Sequence, residues 1–237
     1  MKKESWKKIL IVGIFAAAMG FLEAVIVVYL RKLYYPQGFN FPLNNIETLI
    51  LNVEWVREFF TIIMLICIGL LAGKTLYEKF AYFLYSFAIW DIFYYIWLKV
   101  ILNWPSSLFT WDLLFLIPFP WTGPILAPII YSVTITILAL CIIHCEDKKL
   151  KVELNKVEWA LFILGSMLIL YTFLYDYGQF IFKKGIYQLL TFAANETLQQ
   201  QVFSYIPASY NWALFVIGEI LIVISIALFY KRNLKKK

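Results

Sequence analysis

Residues 9–30 read ILIVGIFAAAMGFLEAVIVVYL. One charged side chain, Glu23, interrupts an apolar run long enough to cross a hydrocarbon core, which takes about 20 residues as a helix. The preceding MKKESWKK and the small residues Ala16 and Ala18 imitate a cleavable signal peptide. The apolar run, however, outlasts the roughly 7–15 residues of such a signal, so residues 9–30 are read as an uncleaved first span.

The rest of the chain repeats this pattern. The sequence is 62% hydrophobic and 15% charged, against about 25% charged residues in soluble domains. Further spans are expected at 53–73, 80–102, 124–145, 158–181 and 211–230, all within one integral membrane domain. The expected fold class is an all-α, polytopic bundle of six transmembrane helices. Between the third and fourth spans lies NWPSSLFTWDLLFLIPFPWTGP. Its apolar part, 108–117, would rise only about 15 Å as a helix, half the thickness of the core. A short re-entrant or interfacial helix is therefore expected there, broken by Pro118, Pro120 and Pro124.

The net charge of +6 could suggest nucleic acid. The basic residues instead flank the apolar runs, which is how orientation in a membrane is set. With both termini cytoplasmic, fifteen Lys and Arg residues fall inside and five fall outside: Arg31, Lys32, Lys99, Lys183 and Lys184. That split supports an even number of spans in the plasma membrane, with the longer loops outside. The outer stretch LLTFAANETLQQQVFSYI is expected to form a helix on the membrane surface.

Charged residues within spans are rare and usually functional. Counted from the cytoplasmic ends at 1.5 Å per residue, Glu23, Arg57, Glu58, Asp91 and Glu219 fall about 17–24 Å up. They form one layer of carboxylates with a single Arg. Glu54, Arg57 and Glu58 share a helix face, so Arg57 can bridge to either acid. Asp91, Tyr95 and Lys99 recur every four residues and make a polar stripe. Arg31, Glu54, Tyr95, Lys99 and Asp112 are expected at the entrance to the layer. Glu54 is expected at the interface, where a carboxylate near a span end snorkels outward. Asp112 suits either the N-terminus of the short helix or a lid over the acids. A structural reading competes with the functional one throughout, with ion pairs or protonated acids holding helices together.

Gly13, Ala16, Ala17, Gly20 and Ala24 form a small-residue face on the first span, suited to close helix packing. Cys141, His144 and Cys145 share a turn, but nothing supplies the paired spacing of a zinc motif, and no metal site is expected. No cofactor motif is present. Asn195-Glu196-Thr197 matches a glycosylation sequon, a pattern common by chance.

The stretches GFLEAVIVVYLRKLYYPQGF, VREFFTIIML and WDIFYYIWLKVILNWPSSLFTWDLLFLIPFPWTGPILAP resemble a family of small polytopic bacterial membrane proteins with no known activity. The resemblance covers about the first 130 residues. It implies a prokaryotic membrane protein and transfers no catalytic residue.

Three functions remain open on these residues. The favoured one is transport of a cation, a proton or a small polar solute through the acidic layer. The second is an enzyme acting on a lipid or lipid-linked substrate, with Glu58 or Asp91 as general base and Arg57 as an anion clamp. The third is an accessory subunit, with a homo-oligomer or another membrane protein as partner and the small-residue face of the first span as its docking surface.

Overall fold

The computed structural model describes residues 1–148, 150, 152–183 and 196–234. Its elements are α1 (Lys3–Tyr34), α2 (Thr48–Ala72), α3 (Leu76–Leu102), β1 (Trp111–Phe115), β2 (Trp121–Pro124), α4 (Leu126–Asp147), α5 (Lys156–Lys183), α6 (Glu196–Phe203) and α7 (Trp212–Leu234). Six of these helices are long and apolar enough to cross a membrane, and the chain is a multi-pass membrane protein. Their outward faces carry large apolar side chains such as Leu10, Leu22, Val56, Phe60, Leu71 and Val223. In water that surface would be untenable, but against lipid tails it is the expected solvent-facing side.

Local signals set the helix ends. Thr75 caps α3 by accepting the Glu78 N–H at 3.1 Å, and the Glu78 carboxylate accepts the Lys74 N–H at 2.7 Å. Asn155 and Glu158 make the same reciprocal box at the start of α5, at 2.8 and 2.9 Å. Each box satisfies amide groups that the first helical turn leaves free. The α3 helix ends at Asn103, whose φ of 51° is the left-handed conformation that stops a helix.

Helix α3 is the hub, packed against α1, α2 and α4, while α5 pairs with α7 and α4 joins the two groups. The small-residue face of α1 seats α3. A side chain at Gly20 would lie 2.9 Å from the Trp90 carbonyl oxygen, and Ala16 and Ala24 are fully buried. The face expected to take a partner helix is thus filled by α3 of the same chain. Both chain ends lie at one end of the bundle. There, the Lys2 backbone N–H donates to Asp147 at 2.8 Å, and Arg232 pairs with Glu158 at 2.7 Å.

The segment 108–117 is not a helix. Residues 111–115 and 121–124 form an antiparallel hairpin, with Asp112 opposite Gly123 and Leu113 opposite Thr122. Pro118 and Pro120 remove helix donors and place the turn between the strands. The Trp121 indole N–H donates to the Ile117 carbonyl at 2.7 Å and closes that turn. Phe119, at the tip, is buried with Leu43, Leu51, Tyr177, Val202 and Phe203. Two strands alone are marginal, so the hairpin owes its order to this burial. The surface helix expected near 189–206 appears in part as α6, which packs on α5. The rest of it, with Asn195, Lys184 and several terminal lysines, lies outside the described residues.

Candidate functional site

A cavity of about 110 Å³ lies between α1, α2, α3 and the hairpin. Seven charged residues stand in its wall: Glu23 and Arg31 from α1, Glu54, Arg57 and Glu58 from α2, Asp91 from α3 and Asp112 from β1. Apolar groups, among them Val27, Leu30, Leu43 and Phe115, make up much of the remainder.

Arg57 organises the deeper part. Its Nε donates to Glu54 at 2.8 Å, its Nη2 lies 2.7 Å from the same carboxylate, and its Nη1 donates to Glu23. The first contact lies within α2 at three-residue spacing. The second ties α2 to α1, two helices that otherwise touch little. Glu54 is 7% exposed and paired, not at the interface as its position near a span end suggests. The helix begins at Thr48, so the turn carrying Glu54 lies well inside it.

Glu58 serves the hairpin. Both of its carboxylate oxygens accept the Leu116 N–H, at 3.1 and 2.8 Å. Non-helical backbone at membrane depth is tolerated only where its polar groups are satisfied by protein or a cavity, and Glu58 does this at the bend. Asp91 accepts the Ser132 hydroxyl of α4 at 2.9 Å. It is half-buried, with its remaining surface towards the cavity.

Arg31 and Asp112 form the upper pair, 2.9 Å apart and both buried. The guanidinium carbon lies 3.6 Å from the Trp104 ring centroid and 4.5 Å from that of Phe39. Stacking on two rings suits a planar, weakly hydrated cation. Burial pushes the Asp112 carboxyl up to about 6, against the opposing charge of Arg31. Asp112 is therefore a strand residue held by an arginine, not a helix cap.

Three residues expected in the layer or at its entrance stand elsewhere. Glu219 accepts the Thr134 hydroxyl of α4 at 2.7 Å, away from the cavity. Tyr95 is buried, and its neighbour Tyr94 lines the wall in its place. Spacings of three and four residues share a helix face, so the Asp91 stripe fitted either tyrosine. Lys99 donates to the carbonyls of Asn103 and Pro105 at 3.3 and 3.0 Å, covering the free carbonyls where α3 ends. The sequence reading also missed Tyr94, Trp104 and Ser132. Trp104 carried a signal, since it stands directly before Pro105 in the aromatic loop that follows the third span. Ser132 carried none.

Below the cavity, towards the end holding the termini, Ala16, Met19, Leu65 and Trp90 form a dry cluster. Glu23 and Glu58 lie on its hairpin side, so the cavity has an apolar floor. Among the described residues, no group of three His, Cys, Asp or Glu could hold a metal ion. No known protein family, curated protein or solved structure matches this chain.

Proposed function

We propose that this protein takes up a cation, a proton or a small polar solute from the hairpin side of the membrane and moves it across. The carrying observation is the charge balance of one cavity, five carboxylates against two arginines, set in the middle of apolar helices. With all groups ionised, the wall is net negative and attracts positive charge. Acids at this depth are costly to keep and serve as ion and proton sites in transporters. The apolar floor supports an alternating cycle, because it closes the cavity on one side while the hairpin borders the other.

The basic residues around the termini support a cytoplasmic location for that end, with the hairpin outside. On this reading the membrane is the plasma membrane of a prokaryote.

Reconstitution in liposomes tests the proposal. Purified protein should carry a proton, alkali-cation or small-solute flux, and Glu58→Gln and Asp91→Asn should each reduce it at least tenfold. Flux unchanged in both variants would sink the transport reading.

A further inference from the structure

Two ion pairs in this protein, one half-exposed and one buried, differ in how completely they are satisfied. Arg232 meets Glu158 side-on, Nε to Oε1 at 2.8 Å and Nη2 to Oε2 at 2.7 Å. The Glu158 oxygens also accept from the Asn155 N–H and Nδ2, and Arg232 reaches the Glu153 carbonyl. This pair is saturated, as expected of a structural tie.

Arg31 and Asp112 make a single bond, Nη2 to Oδ1. The Arg31 Nη1 and the Asp112 Oδ2 are both buried and have no hydrogen-bond partner of ordinary geometry, although the Tyr94 hydroxyl and the Leu113 N–H stand near the Asp112 carboxylate. Arg31 is 7% exposed and Asp112 is 1% exposed, and both line the cavity. Unpaired buried charge is normally avoided, because the desolvated group loses water and gains nothing. Here the unused donor and the unused acceptor belong to one ion pair in the cavity wall, so one compact ligand can reach both. A ligand that completes them must carry an acceptor next to a donor. The guanidinium favours an anionic acceptor and the carboxylate favours a cationic donor.

The remaining wall narrows the class. Asp91 and Glu58 add carboxyl groups to the same wall, which suits the donor end of a ligand. Val27, Leu30 and Leu113 offer room for a short aliphatic group. A volume of about 110 Å³ equals that of roughly four waters at about 30 Å³ each, so the ligand is compact.

We propose that the cavity binds a small zwitterion with adjacent ammonium and carboxylate groups, of the class of short α-amino acids. Its carboxylate sits on Arg31, and its ammonium sits between Asp112 and Asp91. This deepens the transport reading and rests on it only for what the bound solute does next, since binding can be measured without flux.

The test is calorimetric titration of the purified full chain in detergent with L-alanine, ethylamine, propionate and propionamide. Alanine should bind at least tenfold more tightly than each of the other three. Arg31→Gln should abolish that preference, and Arg31→Lys, which keeps the charge, should retain part of it. If Arg31→Gln does not fold, the wild-type panel and the Arg31→Lys variant still decide the question. Equal binding of ethylamine would overturn the proposal and leave a plain cation site, with the transport reading intact. Tighter binding of propionamide would overturn it in favour of a neutral amide. Binding of none of the four would leave a cavity filled by water alone and overturn it as well. Alanine binding without any flux would remove the transport reading and leave this inference standing.

Discussion

In the α1–α3 half of the molecule, Glu23, Glu54, Glu58 and Asp91 surround a cavity together with two arginines. In the α5–α7 half, Gly165 and Gly218 face each other across the helix contact, and Glu219 follows directly. A side chain at Gly165 would lie 2.6 Å from the Gly218 carbonyl oxygen, and one at Gly218 would lie 2.8 Å from that of Gly165. The two backbones touch, and the acid beside them takes a hydroxyl from the neighbouring α4. Both halves carry glutamates inside apolar helices. The first half closes α1 and α2 onto α3 at Gly20 and Gly69 but holds α1 and α2 apart around charge, whereas the second closes α5 directly on α7 through glycine. A buried acid is therefore informative only together with the packing around it.

The sharpest break in this contrast is Gly218→Leu. Overpacking a well-filled contact costs about 1–3 kcal/mol and occasionally more, and here the clash is with backbone on both helices, so the cost exceeds that range. The variant should lose its monodisperse peak on size-exclusion chromatography in detergent. A folded Gly218→Leu with unchanged thermal stability would show that the α5–α7 seam is not close-packed.

Next in size is Arg57→Met, which leaves Glu23 and Glu54 unpaired. Breaking a buried pair from one side costs about 3 kcal/mol, read as a lower unfolding temperature in detergent. Stability equal to wild type would mean that this ion cluster does not hold α1 to α2.

Glu58→Ala removes the acceptor of the Leu116 N–H. The cost is about 1–3 kcal/mol, visible as faster amide hydrogen exchange over residues 113–117. Glu58→Gln keeps a carbonyl acceptor and should preserve that protection while flux falls. If both variants exchange alike, the hairpin is not latched by Glu58.

A further effect concerns pH. The Asp112 carboxyl is raised from 3.8 to about 6 by burial, so between those values the folded chain holds a proton that the unfolded chain has released. Its contribution to stability therefore falls as pH rises through that window. Arg31 opposes the shift, and Tyr94 and Asp91 are the nearby titratable groups. Asp112→Asn should remove the slope between about pH 4 and 6, whatever it does to absolute stability. An unchanged profile of stability against pH would assign the slope to other acids.

The smallest expected effect is that of Glu219→Gln. Thr134 can still donate to the amide carbonyl, so stability should stay within about 0.5 kcal/mol and flux should match wild type. Loss of flux in this variant would place Glu219 on the functional path and erase the contrast between the halves.

Much of this was legible in the chain itself. Apolar length located six spans, and the structure extends most of them by a few residues at their polar ends, while the fourth begins two residues late because Trp121–Pro124 is a strand. Helical spacing put Glu54, Arg57 and Glu58 on one face, and they share one wall. Depth alone put Glu219 in the same layer, and there the reading failed. Height along a span says nothing about rotation around the bundle, and α7 turns this acid towards α4. The hairpin was misread because apolar WDLLFLI has no period that separates a short strand from a helix, and only its cover by α2, α5 and α6 decides.

By itself, the sequence determined that this is a membrane bundle, because backbone polar groups in lipid must be satisfied within each span and apolar length reveals where that happens. It also determined which few side chains are expensive to keep there. The tertiary structure decided which of those side chains meet. That depends on helix neighbours and rotation, set by small residues such as Gly20, Gly165 and Gly218 that let some helices close up while others stay apart. Arg31 shows the difference most plainly. In the sequence it is a basic residue at the end of a span, and in the fold it is a buried cation stacked on Trp104, with its Nη1 left without a hydrogen-bond partner.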